Sequence, residues 1–182
     1  MSDTRVIVLV GSLRADSLNR RIAETLRDQA PAGVAVEIAE GLGEVPFYNE
    51  DLDGDQVPAA AVALRAQVAD ADRVLVVTPE YNGTMPAVLN NAIDWLSRPY
   101  AAGALQGKPL AVIGATPTPY GGKWAHEHAR HSATIAGAQV VEGIVVDEPA
   151  LQGDLLTDAA AVERLLAALG DLVAHETTPA AA

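Results

Sequence analysis

The chain has 182 residues, a net charge of -12 at pH 7 and no cysteine. This length suits one domain, and the lack of cysteine excludes disulfides, thiolate metal sites and iron–sulfur clusters. The charge argues against nucleic acid or an anionic membrane as a partner. No apolar run has the length of a membrane span or the flanks of a signal peptide, so we expect a cytoplasmic protein.

The first apolar run, residues 6–10, has no polar interruption. Such a run is typical of a strand that is buried on both faces in a parallel sheet. Leu18, Ile22 and Leu26 then recur every fourth residue, on one face of a helix. Ser17 stands at the N-cap, where its hydroxyl can accept from unpaired backbone N–H groups. The segment between them therefore joins the carboxyl end of a strand to a helix start, where open parallel sheets bind ligands.

The composition of this first loop favours an anion, most naturally a single terminal phosphate. Ser12, Ser17 and Asn19 offer hydroxyl and amide donors, and Arg14 offers a cation. The helix start adds unpaired N–H groups and its dipole. No Gly-Lys-Ser/Thr follows and Gly11 is the only glycine, so the loop is neither a Walker loop nor a dinucleotide fingerprint. A capped helix with solvated arginines is the alternative that this loop alone leaves open.

Further strands and helices alternate along the chain. Strands are predicted at 34–38, 73–78, 110–114 and 140–146, and helices at about 58–71, 86–96, 123–135 and 158–175. This alternation predicts an α/β protein with a doubly wound, five-stranded parallel sheet in three layers. The flavodoxin-like order 2-1-3-4-5 is favoured, with the loops after strands one, three and four converging. We expect one domain over 1–175 and a disordered tail over 176–182.

Residues 40–55 form an acidic loop that is rich in glycine and aspartate. Its segment 51–55 resembles a calcium-binding loop. However, its glycine comes too early, and Val62 stands where the closing glutamate would fall. We therefore expect a solvated loop without a metal ion.

The loop after the third strand contains Asn82-Gly83, a dipeptide that is typical of hairpin turns. Because a helix follows, we expect no hairpin here. Both residues can instead adopt positive φ, and Gly83 lets a flat ligand approach the backbone. Tyr81 would stack on that ligand or on a neighbouring subunit. A rigid strand-to-helix turn is the alternative. In the next loop, 116–122, hydroxyl groups and two glycines suit the edge of a ring system.

Two long motifs lie in these loops. They are Gly-Ser-Leu-Arg-x-x-Ser-x-Asn-Arg at 11–20 and Pro-Glu-Tyr-Asn-Gly-Thr-Met-Pro-Ala-Val-Leu-Asn-Asn-Ala-Ile-Asp-Trp at 79–95. Together they resemble the signature of the NADPH-dependent FMN reductase family, which includes quinone, azo-dye and chromate reductases and flavin reductase partners of monooxygenases. The resemblance implies a flavodoxin-like fold, bound FMN, NADPH or NADH as co-substrate, and a homodimer or homotetramer.

The resemblance also implies roles for individual residues. The FMN phosphate would be held by Ser12, Arg14, Ser17 and Asn19. The isoalloxazine ring would be lined by Pro79, Glu80, Tyr81, Asn82 and Gly83, and its far edge by Thr116, Gly121 and Gly122. No catalytic side chain is implied. After Gly122 many relatives have a small residue and an arginine, whereas this chain has Lys123-Trp124-Ala125-His126, which leaves the nicotinamide and acceptor contacts open.

These observations predict an FMN-dependent NAD(P)H oxidoreductase. Hydride would pass from NAD(P)H to bound FMN and then to a quinone-like or other small acceptor. One alternative is an FMN reductase that supplies reduced flavin to a monooxygenase. The other is a flavodoxin-like electron carrier, which would suit the acidic chain, although such carriers tend to sandwich the ring between aromatic side chains.

Two further groups of residues have less specific patterns. Trp95 is expected in the core, against a ligand or at a dimer contact, and with Tyr100 and Arg98-Pro99 it suggests a partner surface. Three histidines follow the last motif, at 126, 128 and 131. On a helix the second and third share a face and the first points away. We expect them in solvent or at an interface rather than around a metal ion.

Overall fold

The structure, a computed structural model, describes residues 3–176. The strands are β1 Thr4–Val10, β2 Val34–Ile38, β3 Arg73–Val77, β4 Pro109–Thr116, β5 Gln139–Val140 and β6 Val146–Pro149. The helices are α1 Leu18–Asp28, α2 Ala59–Ala69, α3 Ala87–Leu96, α4 Lys123–Ile135 and α5 Ala159–Ala174. No helix in this described range is long and apolar enough to cross a membrane. The predicted tail lies outside it, except for Glu176.

The sheet is parallel, with the order β2-β1-β3-β4-β5, which confirms the predicted flavodoxin-like order. β1 lies between two strands: Val8 lies opposite Ile38 of β2, and Val10 lies opposite Val77 of β3. Successive side chains of a strand point to opposite faces of the sheet. Accordingly, Ile7 and Leu9 pack in the core beneath α2, α3 and α4, whereas Val8 packs in the core beneath α1 and α5. Both faces are covered, so the three predicted layers are confirmed.

The fifth strand differs from the prediction of one continuous strand over 140–146. β5 and β6 are separate pieces that both pair with β4, β5 at Pro109 and Leu110 and β6 from Ile113 to Thr116. Between them the chain turns, and the Ile144 N–H donates to the Val141 carbonyl at 3.1 Å. Because apolar residues lie on both sides of this turn, the sequence gives no sign that the strand is interrupted here.

Trp95 belongs to the core. Its side chain is 0% exposed, its indole N–H donates to the Pro46 carbonyl at 2.8 Å, and it meets the Tyr48 ring edge-on. The partner-surface role predicted for Trp95 is therefore wrong, because α3 turns this ring inward onto the acidic loop.

The acidic loop is anchored rather than wholly solvated. Leu42 and Val45 are buried in the core beside α2 and α3. The Asp53 carboxylate pairs with Arg65 of α2 at 2.8 Å and is only 10% exposed. Only parts of the loop, such as the exposed Phe47, match the expected solvated segment.

Candidate functional site

Three loops meet at the carboxyl ends of β1, β3 and β4. The Gly11 N–H donates to the Val77 carbonyl at 2.9 Å, and a Cβ on Gly11 would lie 2.2 Å from the Thr78 hydroxyl oxygen. Only glycine allows this approach. The Glu80 N–H donates to the Thr116 hydroxyl at 2.9 Å, which joins the loops after β3 and β4. The predicted site residues are thus brought to one edge of the sheet.

The first loop ends in a capped helix start. The Ser17 hydroxyl accepts from the Arg20 N–H at 3.3 Å, so its own hydrogen remains available to a ligand. Ser12 is buried, and its hydroxyl has no hydrogen-bond partner among residues 3–176. Arg14 is exposed and donates to the Asp16 carbonyl at 3.1 Å. Two hydroxyl groups and one cation therefore surround the helix start.

The other arginines of this region are paired with carboxylates. Arg20 contacts Glu24 and Glu40, and Arg21 and Arg27 pair with their own acidic partners. In the described part of the chain Arg14 makes no such pair. Of the four arginines in the first loop and α1, Arg14 is therefore the one whose charge an anionic ligand can use.

Asn19 has a structural role. Its side chain is buried, its amide N–H donates to the Ala115 carbonyl at 2.9 Å, and its amide oxygen accepts from the Ala115 N–H at 2.9 Å. These bonds hold the start of α1 against β4. The phosphate role implied for Asn19 stays a prediction, and only the second hydrogen of the amide nitrogen is left for it.

The second loop makes a tight turn. Tyr81 and Thr84 exchange two backbone hydrogen bonds of 3.0 and 3.1 Å, and Asn82 and Gly83 have φ values of 53° and 72°. The predicted positive φ values are confirmed, whereas the expectation of no hairpin is wrong at this local scale. The reversal needs only four residues, so it is complete before Pro86 begins α3. Tyr81, Asn82 and Gly83 are all exposed.

Glu80 links the second loop to α4. Its carboxylate accepts from the backbone N–H groups of Trp124 and Ala125, at 3.1 and 3.2 Å. These N–H groups lie in the first turn of the helix, where backbone N–H groups have no acceptor within the helix. The side chain therefore caps α4. Pro79 and Thr116 are buried beside it.

The third loop ends in two glycines of positive φ, 64° at Gly121 and 100° at Gly122. A Cβ on Gly121 would lie 2.3 Å from the Asp147 carbonyl, so this loop packs directly on β6. Its position beside Thr116 matches the place expected for the edge of a ring, and the binding role stays a prediction.

His126 is wholly buried, which contradicts the expected solvent or interface position. Its Nδ1 lies 2.5 Å from Asp147 Oδ1, and its Nε2 lies 3.0 Å from the Thr78 carbonyl. His128 and His131 are exposed, as expected. Helical spacing places His126 beside the small buried residues of α4, a signal that the sequence offered. Among residues 3–176 no three His, Asp or Glu side chains are grouped to hold a metal ion.

The family model described as NADPH-dependent FMN reductase matches residues 4–150. The chain belongs to this family. A quinone reductase of Pseudomonas putida is 44% identical over 127 residues, which cover 70% of this chain and 68% of that protein. A quinone reductase of Escherichia coli K12 is 35% identical over 153 residues, 84% of this chain and 78% of that protein.

A solved structure agrees with this assignment. FerB, a flavoenzyme NAD(P)H:(acceptor) oxidoreductase from Paracoccus denitrificans, superposes with a TM-score of 0.83 at 30% identity. The match covers 93% of this chain and 95% of FerB. Membership of the family makes the chain a flavodoxin-like oxidoreductase that uses FMN and NAD(P)H, as its motifs predict.

Proposed function

We propose that this NADPH-dependent FMN reductase family member passes hydride from NAD(P)H to bound FMN and then reduces a quinone-like or other small acceptor. FMN, when bound, supplies the redox chemistry, and the protein supplies binding, orientation and electrostatics. The observation that carries the proposal is that the loops after β1 and β3 begin side by side, the first ending in a capped helix start and the second in an exposed turn of positive φ. Family membership and the names of the quinone reductases above support it.

One end of the site fits a phosphate monoester. Ser12, Arg14 and Ser17 would donate to its oxygens, with the remaining amide hydrogen of Asn19. The N–H groups at the start of α1 would add their partial positive charge. A single-glycine loop suits one phosphate better than a pyrophosphate.

The other end fits a flat ring. A Cβ on Gly83 would meet no atom within 4 Å, so the turn faces open space. Residues 79–83 would line the ring, with Tyr81 available to stack on it, and Thr116, Gly121 and Gly122 would border its far edge. Glu80 would act mainly by holding this loop against α4. We assign no acid or base, because the chain's residues need only orient the ring and leave one face accessible.

We also infer a homodimer or homotetramer. A cavity of about 620 Å³ lies between the end of α3 and α4. Tyr100 and Ile135 line it and are 85% and 74% exposed. Large apolar side chains that are exposed at the rim of a cavity favour an interaction site. A second copy of the chain would cover this surface. A cytoplasmic location, without nucleic acid or membrane as partner, is part of the same proposal.

Steady-state oxidation of NADPH by the FMN-loaded protein tests the function. We expect oxidation that accelerates on adding a quinone and needs no added reductase, and a parallel series with NADH gives the nucleotide preference. A rate that depends on excess free FMN instead of quinone would favour a flavin reductase for a monooxygenase. No oxidation without an added reductase would favour an electron carrier and contradict the proposal.

A further inference from the structure

A buried histidine–aspartate pair lies beneath the second and third loops. Four segments of the chain converge on the His126 ring: the end of β3 through the Thr78 carbonyl, β6 through Asp147, and the backbones of Gly114 and Gly122. A Cβ on Gly114 or Gly122 would lie 2.9 or 3.1 Å from Nε2. The glycines therefore make room for this imidazole.

The partners of the ring fix its orientation. The Thr78 carbonyl can only accept, so Nε2 donates to it at 3.0 Å. On the other side of the ring, Nδ1 faces Asp147 Oδ1 at 2.5 Å. Burial raises the pKa of Asp147, but its hydrogen bond to His126 and the charges of neighbouring basic groups lower it by more.

We propose that the buried His126 ring locks the end of β3 to β6 and thereby positions the loop 79–83. The inference rests on the proposed function, because that loop is assigned to the FMN ring. His126 is a positioning residue: it acts through the Thr78 carbonyl, one residue before the loop. Its exposed neighbour on the helix, His128, reaches the loop after β3 from outside, where its Nδ1 lies 2.9 Å from the Thr84 hydroxyl.

The charged groups around the ring come from three elements. Asp147 lies on β6, Glu80 lies in the loop after β3, and Lys123 and Arg130 lie on α4 itself. β4 contributes the backbone of Gly114. Asp147 is the group in direct contact with the ring, so the lock depends on this pair.

Loss of either contact of the ring would open the lock. A side chain that does not reach both partners leaves the Thr78 carbonyl without its donor. An unsatisfied buried acceptor is unfavourable. We therefore expect His126→Gln and Asp147→Asn to weaken FMN binding by roughly 5- to 10-fold, as the loss of one such bond implies.

Nitrogen NMR of the FMN-loaded protein tests the contact with Thr78 directly. Ring signals of His126 are assigned as those missing in His126→Gln. We expect Nε2 to carry a hydrogen that exchanges slowly with solvent. A His126 ring whose Nε2 carries no hydrogen would overturn the inference.

The FMN affinity of variants tests the positioning role. His126→Gln and Asp147→Asn should bind FMN more weakly than the parent. Glu127→Gln, an exposed change on the same helix, should match the parent. Parental affinity in Asp147→Asn would overturn the role even if His126→Gln does not fold. A parent that binds no FMN would instead contradict the proposed function, and the NMR result would still decide the lock.

Discussion

Arg14 is the residue of the first loop whose charge an anionic ligand can reach, since its neighbouring arginines are paired with carboxylates. A charge-assisted hydrogen bond to phosphate is worth roughly 1.5–3 kcal/mol. We expect Arg14→Ala to weaken FMN binding by about 10- to 150-fold on that basis. Turnover at saturating FMN should change little, because the phosphate lies far from the reacting end of FMN.

The control for this variant is Arg27→Ala at the other end of α1, where the arginine pairs with Asp28 at 2.8 Å. Exposed pairs of this kind contribute little to stability, so FMN affinity should stay at the parental value. Fluorescence titration with FMN measures both variants. Parental affinity in Arg14→Ala would show that the first loop does not hold the phosphate through this residue.

Substitutions at Gly83 can distinguish the effect of backbone strain from the effect of contact with the ring. Its φ is 72°, and a Cβ there would meet no protein atom. Gly33, in the turn before β2, has a φ of 84° and equally open surroundings. Valine at either position should therefore destabilise the fold similarly, since β-branched residues disfavour positive φ. Only Gly83→Val should also displace the ring and slow the reduction of bound flavin.

The measurement is the rate of flavin reduction in variants saturated with FMN, beside urea unfolding of each protein. Equal flavin reduction rates in Gly83→Val, Gly33→Val and the parent would contradict the assignment of the second loop to the ring.

Among the elements, α4 depends on Glu80 for its N-terminal cap. Glu80→Ala removes the acceptor of two backbone N–H groups and should lower the free energy of unfolding by about 0.5–2 kcal/mol. Glu80→Gln keeps an acceptor oxygen and should recover part of this loss. Glu127→Ala, on the exposed side of the same helix, should cost at most about 0.5 kcal/mol. Urea unfolding that ranks Glu127→Ala as the more damaging change would contradict the capping role.

The sequence predicted the strands and their order because buried parallel strands leave uninterrupted apolar runs. Residues 6–10 and 74–77 are such runs, and they lie within the observed strands β1 and β3. The interruption between β5 and β6 was missed because valine and isoleucine surround the turn. A hairpin at Asn82-Gly83 was not expected because a helix follows it. The chain nevertheless reverses there, since the reversal needs only one bridged pair of residues and no second long strand.

The sequence predicted the location of the site more fully than the contacts within it. The helix cap at Ser17 is local and can be predicted from neighbouring residues. The partners of Asn19 and His126 are 96 and 21 residues away along the chain. Such contacts depend on how the strands are ordered, and no local pattern specifies them. For the same reason, Glu80 could be assigned to a loop but not to the cap of α4.

For the whole molecule, the proposed assembly depends on the surface between α3 and α4. We expect light scattering to give at least a dimer rather than the 18.9 kDa monomer. The double variant Tyr100→Glu, Ile135→Glu should shift the protein toward the monomer, because charge is costly in a buried interface. Val62→Glu, an exposed position on α2, is the control and should keep the parental mass. A parent that stays monomeric at micromolar concentration would contradict the oligomer.

The measurement that tests the central claim most directly is a single turnover of the FMN-loaded protein in the absence of oxygen. Rapid mixing with NADPH should bleach the flavin absorbance without any other protein, and a subsequent quinone should restore it. Flavin that NADPH and NADH both leave oxidised, in protein that holds FMN, would contradict the assignment of this chain as an NAD(P)H-dependent flavoenzyme.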